Sequence, residues 1–275
     1  MIIQHNLSAD IANRQYNINN TNVSKNAEKL ASGYRINRAA DNTAGLSISE
    51  KMRSQVYGLH RASDNGMDGI SLLRTADGGI NESQAIIHRL RELSVQAAND
   101  TNTSGDRDNI QAEVDALIEE VERVANDTEF NTIKILNGTC DETVGNLLNL
   151  QIGANTEQSM SVNIADCRVQ ALGLVDLSVH SHEEATEAID KCDSALDKLS
   201  ANRTQIGAYT NRLEYAVKND DNAEENMQVS ESTIRDTDMA TEMTQYSKNN
   251  ILSQASQSML AQAMGINESA LQLLQ

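Results

Sequence analysis

The 275-residue sequence contains no proline and no tryptophan, and its one phenylalanine is Phe130. Without proline the chain lacks the commonest helix breaker and the slow cis/trans step in folding, so long uninterrupted helices are open to it. Aromatic residues make up 3% of the sequence, which argues against a compact enzyme core built on large rings. Basic residues are also scarce: 22 Lys and Arg face 40 Asp and Glu, for a formal charge of −18. Phosphate binding needs clustered cations, so nucleic acid is excluded as a partner. Cys140, Cys167 and Cys192 are odd in number and lack CxxC spacing, which disfavours a disulfide framework or a zinc knuckle. No run approaches a membrane span, and "MIIQHNLSADIANRQ" lacks the basic start and apolar centre of a cleaved secretory signal. Taken alone, these absences describe a cytosolic chain.

The 39% of hydrophobic residues suffices for a narrow core of Ala, Leu, Ile, Val and Met, as in thin helical bundles. Charge is unevenly spread. Residues 1–43 carry +2 and residues from Met239 onward carry −1, which leaves −19 in the middle. Near-neutral ends suit packing together, and an acidic centre suits contact with water.

Apolar spacing gives the order of elements. Ile3, Leu7, Ile11 and Ile18, then Val23, Ala27, Leu30 and Tyr34, make a helix with a weak stripe. A second helix over 44–98 carries the seam Leu73, Ala76, Ile80, Ser83, Ile87, Leu90, Ser94 and Ala97, alternating three and four. "NDTNTSGDRDN", residues 99–109, reads as a turn before the heptads Ile110, Val114, Leu117, Val121 and Val124. From Thr132 the period becomes two, through Ile133 and Ile135, Leu148 to Ile152, and Met160 to Ile164. Turn chemistry at Asn137-Gly138 and Gly153 completes a small antiparallel β element. Helical period returns through Ile189, Cys192, Leu196, Leu199, Ile206, Leu213 and Val217, and again through Met239, Met243, Leu252, Met259 and Ala263. The expected fold is mainly α: a long antiparallel helical bundle or coiled-coil rod with a small antiparallel β element near 132–165.

Chemistry-bearing patterns are weak. "HSHEE" contains His180 and His182, but residues two apart on a helix diverge, so a solvated turn is the better reading than a metal site. Gly66, Gly69, Gly78 and Gly79 follow no strand, so close helix packing suits them better than a phosphate loop. No catalytic, cofactor or metal residue is assigned.

One stretch, "LASGYRINRAADNTAGLSISEKMRSQVYGLHRASDNGMDGISLLRTADGGINE", closely resembles bacterial flagellin, as do "MIIQHNLSA", "RELSVQAAND", "NIQAEVDALIEEV" and "MLAQA". The resemblance implies a structural subunit that polymerises into the filament for motility. It implies an inner-tube domain from residues 1–43 and 237–275 and a rod-shaped core domain from 44–236. Large variable outer domains are missing, since only Ala165 to His182 separates the β element from the returning helix. The resemblance also replaces the cytosolic reading with an extracellular one: export unfolded through the flagellar channel, without a cleaved signal, attended by an export chaperone and a cap. The alternatives are a hook–filament junction protein and a secreted helical translocator. A translocator's membrane-entering ends are expected to be more apolar or more basic than these, and no membrane insertion is expected.

Site residues follow from the same resemblance. Ile3, Leu7, Ile11, Leu260, Leu271 and Leu274 are expected to be buried on filament assembly. Gly33, Arg35, Arg38, Asp41 and Gly45 match the joint between inner tube and rod. Arg89, Leu93 and Glu113 match the epitope bound by the host Toll-like receptor that senses flagellin, with Arg89 and Leu93 on one helix face.

Overall fold

In a computed structural model that describes residues 6–141 and 147–272, the proline-free sequence does form very long helices. The elements are α1 (Leu7–Ser32), α2 (Thr43–Ala97), α3 (Ser104–Asp127), β1 (Glu129–Phe130), β2 (Ile133–Lys134), β3 (Leu148–Gln151), β4 (Ser159–Val162), α4 (Val169–Leu172), α5 (His182–Arg235) and α6 (Met239–Gln272). The fold is mainly α, with two small antiparallel sheets, β1–β2 and β3–β4. Packing divides the chain into two compact units, Met1–Ser54 with Asn226–Gln275, and Gln55–Glu225. Formal charge divides with them: the first unit sums to zero and the second carries the whole −18.

The second unit holds the core. All eight seam residues of α2, from Leu73 to Ala97, are buried. They meet α5 along Ala185, Ala188, Cys192, Ala195, Leu199, Ile206 and Leu213, spaced by threes, fours and sevens. Small residues in both seams let the helices approach closely. At Gly66 an added Cβ would fall 2.5 Å from Val217 Cγ2 of α5, and at Gly69 it would fall 3.3 Å from Leu213 Cδ1 of α5 and 2.7 Å from Leu150 Cδ1 of β3. Gly78, by contrast, has open space around it, so close approach does not account for it. The thiols of Cys140, Cys167 and Cys192 are free and buried, and burial pushes those of Cys167 and Cys192 up to about 12 and about 11.

α3 begins earlier than its sequence suggests. Thr103 and Asp106 form a reciprocal capping box, so Ser104 to Asn109 are helical and the connection shrinks to residues 98–103. Asp106 carboxyl lies below its ordinary range because the Thr103 hydroxyl and then the Thr103 N–H donate to it. On the buried face Ala125 replaces the expected Val124, because a straight helix drifts from a strict seven-residue repeat.

The β element also departs in detail from its reading. The β1–β2 turn is Asn131-Thr132, both with positive φ (49° and 67°), which gives the I′ geometry that matches strand twist. Asn137-Gly138 is not a hairpin turn. It lies in a loop where Leu136 O accepts from Cys167 N at 2.9 Å, and Ile135 and Leu136 both enter the core instead of alternating. β3 and β4 follow the expected period: Leu148 pairs with Val162 and Leu150 with Met160.

The α5 seam continues seven residues past Leu213 to Asp220, which is buried among the contacts Gly66–Val217 and Ser63–Asp221. Its Oδ2 has no hydrogen-bond partner. Desolvation, and secondarily the charge of Asp221, push its carboxyl above its ordinary value. A carboxyl whose folded pKa lies above its unfolded one stabilises the fold at low pH, and that contribution is lost as pH rises through the folded value. Asp220→Leu should therefore raise unfolding free energy at pH 7 by about 1–3 kcal/mol. The gain should shrink as pH is lowered toward 4; a gain independent of pH in denaturant titrations would refute this account.

Candidate assembly surface and interhelical joint

Two helix breaks face each other in the first unit. Ser32 ends α1 because Gly33 adopts the left-handed φ of 76° and returns its N–H to Lys29 O. Arg235 ends α5, and the two departing segments pair as an isolated antiparallel bridge, Tyr34 with Asp236. Arg35 N donates to Arg235 O at 2.7 Å and Thr237 N to Gly33 O at 3.0 Å. Arg35 Nη2 also donates to Ile234 O at 2.5 Å, so it satisfies a carbonyl orphaned at the helix end. Arg235 stacks 4.6 Å over the Tyr34 ring and pairs with Glu50 at 2.9 Å.

The remaining joint residues act within the chain turn. Arg38 pairs with Glu28 at 2.9 Å. Asp41 accepts from the N–H groups of Arg38 and Asn37 at 3.0 and 3.2 Å, and the Arg38 contact leads in holding its carboxyl below the usual range. At Gly45 an added Cβ would lie 2.8 Å from Cδ1 of the buried Ile36. The residues singled out in the sequence lie on one side of this turn. Sequence reasoning missed Ile234, Arg235, Asp236 and Thr237, whose only signal was the gap in apolar spacing before Met239.

α1 and α6 pack along each other with little apolar burial. Among the described residues Ala263 is the one buried hydrophobic side chain of α6, and the buried residues of α1 are Asn19 and Asn26. Part of the expected stripe is exposed: Leu7 is 70% exposed and Ile11 53%, and Ile18, Met243 and Met259 are exposed too, as is Ile251 outside the stripe, while Val23, Ala27 and Leu30 are half-buried. Ile11, Ala12, Gln15, Leu252, Ala255 and Met259 line one groove between the helices. Leu260 is half-buried. Ile3 and Leu274 lie outside the described residues, as does the side chain of Leu271.

Arg89 and Glu113 bring α2 and α3 together at the surface, with Arg89 Nη2 and Nε donating to Glu113 Oε1 at 2.9 and 3.1 Å and Nη1 to Glu92 at 3.2 Å. Leu93 does not sit beside them as an exposed apolar anchor. It is 2% exposed and packs in the core, because the inward face of α2 is wide enough to take both Leu90 and Leu93. His180 and His182 turn to different partners, Asp108 Oδ1 at 3.1 Å and Ala98 O at 2.7 Å.

Against this geometry stand the likenesses to known proteins. The model of the bacterial flagellin N-terminal helical region matches residues 3–141, and that of the C-terminal helical region matches residues 189–274. A flagellin of Halalkalibacterium halodurans is 46% identical over 276 residues, covering 100% of both chains. The flagellar filament 30.7 kDa core protein of Treponema maltophilum is 45% identical over 284 residues, also with 100% of both covered. Among solved structures, a crystal structure of Bacillus cereus flagellin aligns with a TM-score of 0.51 at 29% identity, over 57% of this chain and 88% of that one.

Proposed function

The chain belongs to the bacterial flagellin family, structural proteins of the flagellar filament and not enzymes, and from that premise we propose how its parts divide the work of assembly. Residues 1–43 and 237–275 form the inner tube, and residues 44–236 form the rod around it. Ile3, Leu7, Ile11, Leu260, Leu271 and Leu274 are buried between subunits, and Gly33, Arg35, Arg38, Asp41 and Gly45 shape the joint. The observation that carries this reading is the exposed apolar side chains of α1 and α6, Leu7, Ile11, Ile251 and Met259 above all, on a helix pair in which, among the described residues, Ala263 is the one buried hydrophobic side chain. Such helices gain most of their stability from packing against a partner, and a second copy offers the same faces. Purified intact chain, seeded or salted out, should give long thin filaments in the electron microscope; persistent monomers would point to a junction role instead.

Export fits the same economy. The terminal helices, held together by few buried apolar side chains, unfold readily, and a proline-free chain of local helical contacts suits passage unfolded through the flagellar channel and fast folding at the tip. An export chaperone would cover the exposed faces before secretion, and a cap would hold the arriving chain.

As a second role, the host flagellin-sensing Toll-like receptor binds the ion-paired surface at Arg89 and Glu113. Leu93 supports that surface from beneath. Arg89→Ala should lower receptor affinity by about tenfold or more, the loss typical of a charged interface anchor. Surface plasmon resonance showing parental affinity for this variant would remove Arg89 from the epitope.

A further inference from the structure

Asn19 and Asn26 stand seven apart on the inner face of α1, positions where a paired helix ordinarily carries Leu or Ile. Both amides are engaged from α6. Asn19 Nδ2 donates to Ser256 Oγ at 2.8 Å and to Leu252 O at 3.3 Å, while its Oδ1 accepts from Gln15 at 3.3 Å. Asn26, with its amide turned to suit its neighbours, donates to Glu242 Oε1 at 3.1 Å and accepts from Asn249 Nδ2 at 3.0 Å. Asn6 to Ala263 O at 2.8 Å and Lys29 to Glu242 at 3.9 Å keep the same antiparallel alignment.

We infer that Asn19 and Asn26 select the register in which α1 and α6 pair, as polar pins in a seam too poor in apolar contacts to select one. A slip of one heptad preserves the small and polar character of the seam but unmakes a pin. Moved one way, Asn26 takes the Leu252 and Ser256 position and Asn19 falls beside Met259 and Ala263, where no hydroxyl replaces that of Ser256. Moved the other way, Asn19 takes the Glu242 and Asn249 position and Asn26 lies opposite Arg235, Met239 and Glu242, across the break where α6 begins, so it keeps at most the Glu242 carboxylate. In both cases a buried amide loses a side-chain partner, which disfavours the slipped pairing. Unlike Leu or Ile, which pack acceptably at several heights along a helix, an amide is satisfied at one, so it exchanges some stability for a unique alignment.

Register is a property of a single chain, so its test is independent of polymerisation. A one-heptad slip moves one helix along the other by about 10 Å, a shift that electron–electron double resonance between spin labels resolves. Labels go on cysteines introduced at the exposed Asn13 and Lys248 of the full chain, which is diluted into unlabelled protein so that distances within one chain are read. The native thiols are buried and react slowly, which confines labelling to the new sites. The parent should give one distance population. Asn19→Leu/Asn26→Leu should give at least two, separated by an axial shift of about 10 Å. Asn19→Leu alone, which keeps one pin, should stay mostly in the parental register. Asn19→Ser/Asn26→Ser adds no apolar bulk and should lose the single population as well. One population at the parental distance in both double variants overturns the inference, as does a multiple population in the parent.

Discussion

Removal of residues 237–275 should leave a soluble, folded chain that forms no filaments under conditions where the intact chain does. The deletion takes all of α6 together with Thr237, whose N–H holds Gly33 O at the joint. It strips Asn19 and Asn26 of their partners and leaves α1 as a single helix of 26 residues with its large apolar side chains in water. A lone helix with that pattern is marginal, so α1 should unravel. The rest should survive, because among the described residues every buried hydrophobic side chain except Ile36 and Ala263 belongs to the unit Gln55–Glu225. Circular dichroism should show lost helicity with the main unfolding transition kept. Sedimentation and electron microscopy after salting-out should show monomers only. Filaments from the truncated chain would move assembly away from the terminal helices.

Leu90→Ala should destabilise the Gln55–Glu225 unit by about 2–5 kcal/mol, the range for emptying a well-packed leucine site. Leu90 is 0% exposed and lies in the α2 seam with Ile87, Ser94 and Ala97, in one continuous core with α5. The control is Leu7→Ala, at a site 70% exposed, which should change monomer stability by no more than about 0.5 kcal/mol. Denaturant unfolding followed by circular dichroism measures both. A loss below about 1 kcal/mol at Leu90 would mean the seam is packed more loosely than its burial implies.

The two substitutions separate two uses of leucine that look alike in the sequence. Periodicity located the α2 seam residue by residue, because a seam with one long partner is a local pattern repeated many times. The same logic at α1 picked out Leu7, Ile11 and Ile18 as a stripe, and these side chains are exposed while Asn19 and Asn26 are buried. The difference is the partner: α1 meets a helix more than two hundred residues away in sequence, and the apolar face it carries is left over for something else. Leu93 shows the converse. Helical spacing places it on one face with Arg89, but only the arrangement of the packed helices turns that leucine into the core and leaves the arginine at the surface with Glu113.

By itself the sequence determined the mainly helical class, the order of long helices, the β period of β3 and β4 and the acidic middle, since these follow from the absence of proline, from local repeats and from charge counts. The contiguous stretch "LASGYRINRAADNTAGLSISEKM" holds one side of the turn between α1 and α2. Only the tertiary structure decided which strand returns to close it, at Asp236 and Thr237, and which atoms hold α1 to α6. Those are pairings between residues far apart in the chain, whose energy lies in hydrogen-bond geometry that no local period records.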